Sequence, residues 1–334
     1  MAQEFNYAAR AKKLRKKMAA ARVDAVIAGG LDSVGANSVY FGEETFPAIT
    51  AFLPDKAVLY STGEENRLFD ETVPARNFRT HFAALAKKQR IKTAGIDEKS
   101  DLGGIHFFLR RKNIDTKPFG KKLEELREIK DEKELGLIKK AAATSAELIC
   151  SLEPFGKTEH ETAGEMEYAA RRKGFALDAF PPIVASGANS ALPHWHTSSK
   201  KISPTDCVVV DAGVRAGWYC GDCSRTFYAS GEREIRDAVE AVKEAKKAAE
   251  RKARPGAAGR ALAEAALKVI GEYGFATHSF RKAGLSLGHQ IGLCVHEGRP
   301  LEKTRLEKGM AFTIEPGVYV SKKFGVRFED VTTL

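Results

Sequence analysis

Asp211 stands in Cys207-Val-Val-Val-Asp211-Ala-Gly-Val214, a run too apolar for a surface strand. An ionised carboxylate buried in such a strand requires a cation beside it. Asp222 follows eleven residues later. A two-residue hairpin turn at Ala216-Gly217 predicts that the two aspartates face each other, with Cβ atoms about 5 Å apart. Carboxylates that close repel unless they share a proton or a metal. The C-terminal end repeats the pattern with Glu315 in Ala311-Phe-Thr-Ile-Glu-Pro-Gly-Val-Tyr-Val320 and Glu329 in Phe324-Gly-Val-Arg-Phe-Glu-Asp-Val331. A loop at Ser321-Lys-Lys323 sets Glu315 opposite Glu329. His289, in the run Gly284-Leu-Ser-Leu-Gly-His-Gln-Ile-Gly-Leu293, offers a nitrogen to the same site.

Four carboxylates and one imidazole make an oxygen-rich site for hard or borderline divalent ions, and manganese, cobalt, iron and zinc all fit it. Four negative charges suit two dications plus a bridging hydroxide. Two ions about 3.5–4 Å apart generate a nucleophile from water at neutral pH and polarise a scissile carbonyl, so no catalytic serine or cysteine is required. Cys220-Gly-Asp-Cys223 has the spacing of a redox or zinc motif. Residues three apart in a strand point to opposite faces, so these thiols diverge and are not expected to act together.

The elements that must position these residues are legible in the periodicity. Tyr7, Ala11, Leu14, Met18 and Ala21 recur at helical spacing, and the apolar strand Ala25-Val-Ile-Ala28 follows at once, an α/β opening. Ala48 to Leu53 and Ala57 to Tyr60 flank Pro54-Asp55-Lys56, a hairpin signal. The charged stretch from Lys121 to Glu132 leads into a helix carrying Leu135, Ile138, Ala142, Leu148 and Ile149, and a domain boundary belongs there. Thr158-x-x-Glu161 is a capping box for a helix to about Lys173. Two amphipathic helices follow, one on Ile235, Val239, Val242 and Ala249, the other on Leu262, Ala266, Val269 and Tyr273.

A chain of 334 residues exceeds one core and predicts two domains. The N-terminus carries no apolar signal core, and no run is long and apolar enough to span a membrane. These features predict a soluble, unexported, cytoplasmic protein. Five cysteines, an odd number, predict free thiols in a reducing compartment. The net charge of +10 gathers in Lys12 to Lys17, Lys87 to Lys92 and Arg110 to Lys112, which read as solvated faces. Neither nucleic acid nor a membrane is an expected partner.

The order Asp, Asp, His, Glu, Glu in VVVDAG, GDCSRTF, LGHQIGLCVHEGRP, TIEPGVY and GVRFED resembles the Xaa-Pro peptidases, prolidase and aminopeptidase P. The stretch ELREIKDEKELGLIKKAA resembles the entrance to that family's catalytic domain. The resemblance implies an α+β architecture. A creatinase-type α/β domain over residues 1–122 precedes a pita-bread domain over 123–334. It implies two divalent ions on Asp211, Asp222, His289, Glu315 and Glu329, with Asp222 and Glu329 bridging. Asp211 completes one ion, and His289 with Glu315 the other. It places His194, of the ALPH segment, near the substrate and the leaving group, with His196 as the alternative ring. His296 contacts substrate and assists proton transfer, Arg327 lies beside the metals, and Glu315 handles the proton of the nucleophile. Seven residues separate His289 from His296, so a turn or bulge, placed at Gly292, has to bring them together.

The implied reaction is hydrolysis of an Xaa-Pro bond in dipeptides or short peptides, by a homodimer. A binding module that has lost catalysis, metal-free creatinase-like hydrolysis and methionine aminopeptidase activity are the rivals. Relatives usually continue beyond Leu334 through another strand, which leaves the closing edge of the last sheet open as an expectation.

Overall fold

The structure, a computed structural model, describes residues 5–30, 35–42, 46–63, 65–100, 103–228 and 232–334, and divides into two compact units, Met1–Arg127 and Glu128–Leu334. In the first unit, β1 (Ala25–Gly30), β2 (Ala48–Phe52), β3 (Ala57–Ser61), β4 (Glu71–Pro74), β5 (Thr93–Ile96) and β6 (Asp115–Pro118) form one sheet in the order β4-β3-β2-β1-β5-β6. β2 runs antiparallel to both neighbours and the other pairs are parallel. Among the described residues the helices α1 (Tyr7–Ala21), α2 (Ala36–Gly42), α3 (Phe78–Lys88), α4 (Gly103–Arg111) and α5 (Gly120–Arg127) accompany it. Helix α1 buries Leu14 and Met18, on the stripe its periodicity marks. Pro54-Asp55-Lys56 forms the expected turn, closed by Leu53 N donating to Lys56 O at 2.8 Å.

The second unit begins with α6 (Glu132–Cys150) and α7 (Glu159–Arg172). Both start in capping boxes: Asp131 with Glu134 in α6, and Thr158 with Glu161 in α7. Its main sheet takes β7 (Ile183–Ser186), β8 (Cys207–Ala212), β11 (Cys223–Tyr228), β12 (Ala311–Ile314) and β15 (Glu329–Thr333) in the order β12-β15-β11-β8-β7. Two smaller ladders join β9 (Arg215–Ala216) to β10 (Tyr219–Cys220) and β13 (Gly317–Val320) to β14 (Phe324–Arg327). The long amphipathic helices are α8 (Arg233–Glu250) and α9 (Gly259–Glu272).

Alternation along β8 decides what this sheet does with its two faces. Val208, Val210 and Ala212 join Ile149 of α6 and Met166 of α7 in one core cluster. Val209 and Asp211 therefore project from the opposite face. A second cluster packs Val239 and Val242 of α8 and Leu262 of α9 against Phe312 and Ile314 of β12. β15 is hydrogen-bonded on both sides, to β12 and to β11, so it lies inside the sheet. Among the described residues no helix is long and apolar enough to cross a membrane.

Candidate metal centre

The carboxylates form a row across adjacent strands. Asp211 of β8 pairs with Ser224 of β11, and Ser224 pairs with Glu329 of β15. The β12–β15 and β13–β14 ladders share one register, with Ile314 opposite Asp330 and Gly317 opposite Arg327. Its continuation sets Glu315 opposite Glu329, as the three-residue loop at Ser321–Lys323 predicts. Neighbouring strands lie about 4.8 Å apart, so this row gathers its carboxylates on one face.

The first hairpin corrects the expected register. The tip is Gly217-Trp218, both at positive φ (52° and 72°), with Ala216 opposite Tyr219. Two such residues make a type I′ turn. The tip therefore lies one residue later than expected, and Ser224 rather than Asp222 stands opposite Asp211. Asp222 lies two residues from Ser224 on the same face, and it still sits close enough to Asp211 for each carboxyl to perturb the other's ionisation.

His289 enters from a segment running beside β12, with Thr313 N donating to His289 O at 2.8 Å. Its Nδ1 lies 3.2 Å from Gln290 O, which can only accept, so Nδ1 is the nitrogen that donates there and Nε2 is the one left to the acidic row. Nε2 lies 3.4 Å from Asp222 Oδ2 and 3.5 Å from Glu315 Oε1. With Nδ1 so engaged, Nε2 is placed to ligate a cation held among these carboxylates. Asp222, His289 and Glu329 each offer a ligand atom within 4.8 Å of the others. Asp211 Oδ1 is buried without a hydrogen-bond partner among the described residues, a second sign that the donor set fits a metal.

Arg327 is 3 % exposed and donates to Asp211 Oδ2 at 2.6 Å, to Pro193 O at 3.1 Å and to Tyr319 Oη at 3.3 Å. Its Nε donates to Ser224 Oγ at 2.9 Å, and Ser224 donates onward to Glu329 Oε2 at 2.5 Å. Asp330, next to Glu329 in the chain, binds Arg225 and Lys246 rather than Arg327. Ser224 and Tyr319 were not singled out in the sequence. A hydroxyl two residues beyond Asp222 in an apolar strand was the available signal for Ser224.

Burial pushes Asp222 and Glu329 far above the usual carboxylate range, reinforced by Asp211 and Glu315 beside the first and by Asp222 and Glu315 beside the second. Burial also raises Asp211 and Glu315, although Arg327 and His289 oppose it. Burial opposes the charge on Arg327 as well, and Tyr319, Asp211 and Glu315 nevertheless hold it firmly protonated. The protein has concentrated more negative charge here than one arginine neutralises.

All five acidic and imidazole candidates, with His194, His196, His296 and Arg327, line one cavity of about 600 Å³. His289 and His296 lie with ring centroids 4.0 Å apart and planes tilted by 44°. The chain folds back between them, with Gln290 bridging to Glu297, and Gly292 lies within the excursion. Burial, with His289 and His194 nearby, lowers His296 to about 4, so its ring is neutral near pH 7. Phe180, Pro181, Pro182 and Ile183 form an apolar wall that periodicity did not reveal. Cys220 and Cys223 are buried free thiols, both pushed up by burial. Gly284-Leu-Ser286-Leu-Gly288 has the spacing of a serine nucleophile elbow. Ser286 Oγ is instead spent on Gly288 O at 3.1 Å, and no helix follows.

Residues 134–334 match the sequence profile of metallopeptidase family M24. A Xaa-Pro dipeptidase of Pyrococcus horikoshii is 34 % identical over 286 residues, covering 83 % of this chain and 80 % of its own. Among solved structures, the prolidase from Pyrococcus horikoshii superposes with a TM-score of 0.86 at 30 % identity, covering 98 % of this chain and 95 % of that one. The X-Pro aminopeptidase from Thermotoga maritima superposes with a TM-score of 0.85 at 29 % identity, covering 97 % and 94 %.

Proposed function

The chain belongs to metallopeptidase family M24, and from that premise we propose how its own residues carry out metal-dependent hydrolysis of Xaa-Pro peptide bonds. The second unit is the pita-bread domain of that family, and an α/β domain of the creatinase type precedes it, at residues 1–122 by our reading. In this reading Asp211, Asp222, His289, Glu315 and Glu329 would together hold two divalent ions. The supporting observation is the row from Asp211 through Glu329 with His289 Nε2 facing it, in a cavity where Asp211 Oδ1 lacks any other partner. Manganese, cobalt, zinc and iron all suit such donors.

Bound divalent ions supply a water-derived nucleophile at neutral pH and polarise the scissile carbonyl. The side chains do the rest. Arg327 fixes Asp211 through Oδ2 and leaves Oδ1 buried without a hydrogen-bond donor. Glu315, steadied by Thr313 Oγ1 donating to Oε1 at 3.2 Å, takes the proton released by the attacking water. His296, neutral, accepts a hydrogen bond from the substrate and assists proton transfer, while His194 faces the leaving amine. Phe180 to Ile183 give a pyrrolidine ring an apolar wall. A cavity of about 600 Å³ suits a dipeptide or a short peptide. We place the enzyme in the cytoplasm as a homodimer.

Hydrolysis of Ala-Pro, Ala-Pro-Ala and Met-Ala-Ser by metal-stripped protein resupplied with manganese, cobalt or zinc tests this reading, with Asp222→Asn as the control. Metal-dependent cleavage of the proline substrates, lost in the variant, is expected. The ratio of dipeptide to tripeptide rates then separates a dipeptidase from an aminopeptidase. Cleavage confined to Met-Ala-Ser, or none with ions bound, sinks it.

A further inference from the structure

One wall of the cavity is built from a segment with little regular structure. Phe180 to Ile183 and His194 to Thr197 line the site, and between them lie only β7 and a single 3-10 turn, Gly187–Ala191. β7 is held by its ladder to β8, but His194 to Thr197 lie outside any strand or helix, so other bonds must fix the two histidine rings they carry.

Glu159, the first residue of α7, is fully buried and does not line the cavity. Its Oε1 accepts from Ser186 N at 2.9 Å, Ser186 Oγ at 2.8 Å and Asn189 Nδ2 at 3.0 Å. Its Oε2 accepts from Trp195 Nε1 at 2.9 Å, Ser198 N at 3.0 Å and Ser198 Oγ at 2.6 Å. One oxygen thus holds the chain before His194 and the other holds the chain after it. Burial opposes the charge of this carboxylate, and the hydrogen bonds it accepts more than offset that cost. A carboxylate that receives six donors from one segment is not packing filler.

We propose that Glu159 is a positioning residue for the Xaa-Pro peptidase reaction, stapling the two ends of the His194–His196 strand of chain so that these rings and Trp195 hold their places in the cavity wall. The proposal rests on the peptidase reading for its kinetic consequence and on geometry alone for its structural one. Oε2 anchors Trp195 directly, so the indole next to His194 reports on the staple. Pro193 O, in the same stretch, accepts from Arg327 at 3.1 Å, which links the staple to the row of acidic residues.

Glu159→Gln is the informative substitution. It keeps the volume but turns an amide N–H₂ toward one set of donors, which breaks the hydrogen bonds of one half of the staple. In manganese-loaded enzyme acting on Ala-Pro, kcat is expected to fall roughly 30- to 100-fold with KM within about threefold and ion content per chain unchanged. Because the effect runs through the rings of His194 and His196, Glu159→Gln added to a His194→Ala/His196→Ala background is expected to slow that background by no more than about threefold. A kcat within about threefold of the parent for Glu159→Gln alone, or losses that multiply in the combined variant, overturns the proposal. In a Trp218→Phe background the remaining indole is Trp195, and Glu159→Gln is expected to shift its emission in the absence of substrate. A parent enzyme inert toward Xaa-Pro substrates would defeat the peptidase reading alone. The Trp195 emission then decides for Glu159, an unchanged spectrum overturning it.

Discussion

Arg327 binds one oxygen of Asp211 at 2.6 Å while the other oxygen of the same carboxylate is buried with no hydrogen-bond partner among the described residues. The arginine therefore neutralises Asp211 only in part, and in the proposed reading a bound metal would complete the task. In metal-free protein, Arg327→Met strands a buried carboxylate and is expected to cost about 3–5 kcal/mol. In metal-loaded protein the same substitution is expected to cost much less. Urea unfolding of parent and variant, each with and without manganese, measures both numbers. Equal losses in the two states would show that Arg327 and the metals do not share Asp211.

Ser224 lies in the middle of the acidic row, receiving Arg327 Nε and donating to Glu329 Oε2. Groups that orient a ligand without touching the ion commonly carry 10- to 100-fold of metal affinity. Ser224→Ala is expected to weaken manganese binding by about 10- to 100-fold while the protein stays folded. Competition against a chelator of known affinity measures this. An unchanged affinity would leave Ser224 a mere filler of the strand.

The two acidic hairpins show how far the sequence carries and where it stops. Glu315 and Glu329 were paired correctly because three polar residues, Ser321-Lys-Lys323, separate two apolar runs and leave little choice of turn. Asp211 and Asp222 were paired two residues out of register because Trp218 adopts φ 72°, a conformation that no residue preference assigns to tryptophan. The acidic side chains still converge, since a shift of two residues preserves the face of the strand. His289 and His296 meet only because the chain folds back at the Gln290–Glu297 bridge, a long-range arrangement that periodicity along one segment does not encode. Glu159 was legible only as the first helical residue inside a capping box; its six hydrogen-bond donors lie 27 to 39 residues further along the chain.

Gly292 makes that fold-back possible. A Cβ there would lie 2.1 Å from Glu297 Oε1, and Glu297 is itself locked in a buried pair with Lys130 at 3.1 Å. Gly292→Ala must push aside the Glu297 carboxylate and disturb its pair with Lys130 beside the excursion that carries His296. A loss of about 1–3 kcal/mol is expected from the overpacking, with a fall in kcat/KM larger than that instability explains at a temperature where the variant is fully folded. Thermal unfolding and steady-state kinetics at that temperature separate the two effects. Full activity with normal stability would mean that the buried pair yields freely.

Glu159 also gives the protein a specific acid sensitivity. Its folded pKa is lowered below the ordinary 4.5, so the carboxylate contributes stability above that value, and the contribution is lost as pH falls through the lower folded pKa. Glu159→Gln has no charge to lose. The stability gap between parent and variant is therefore expected to be constant from about pH 8 to about pH 5 and to narrow only in more acid solution. Urea midpoints for the pair across that range read the gap directly, free of any catalytic assay. A gap that narrows near neutrality would contradict a lowered pKa, and a gap that persists undiminished in strong acid would mean that the charge of Glu159 is not what holds the wall.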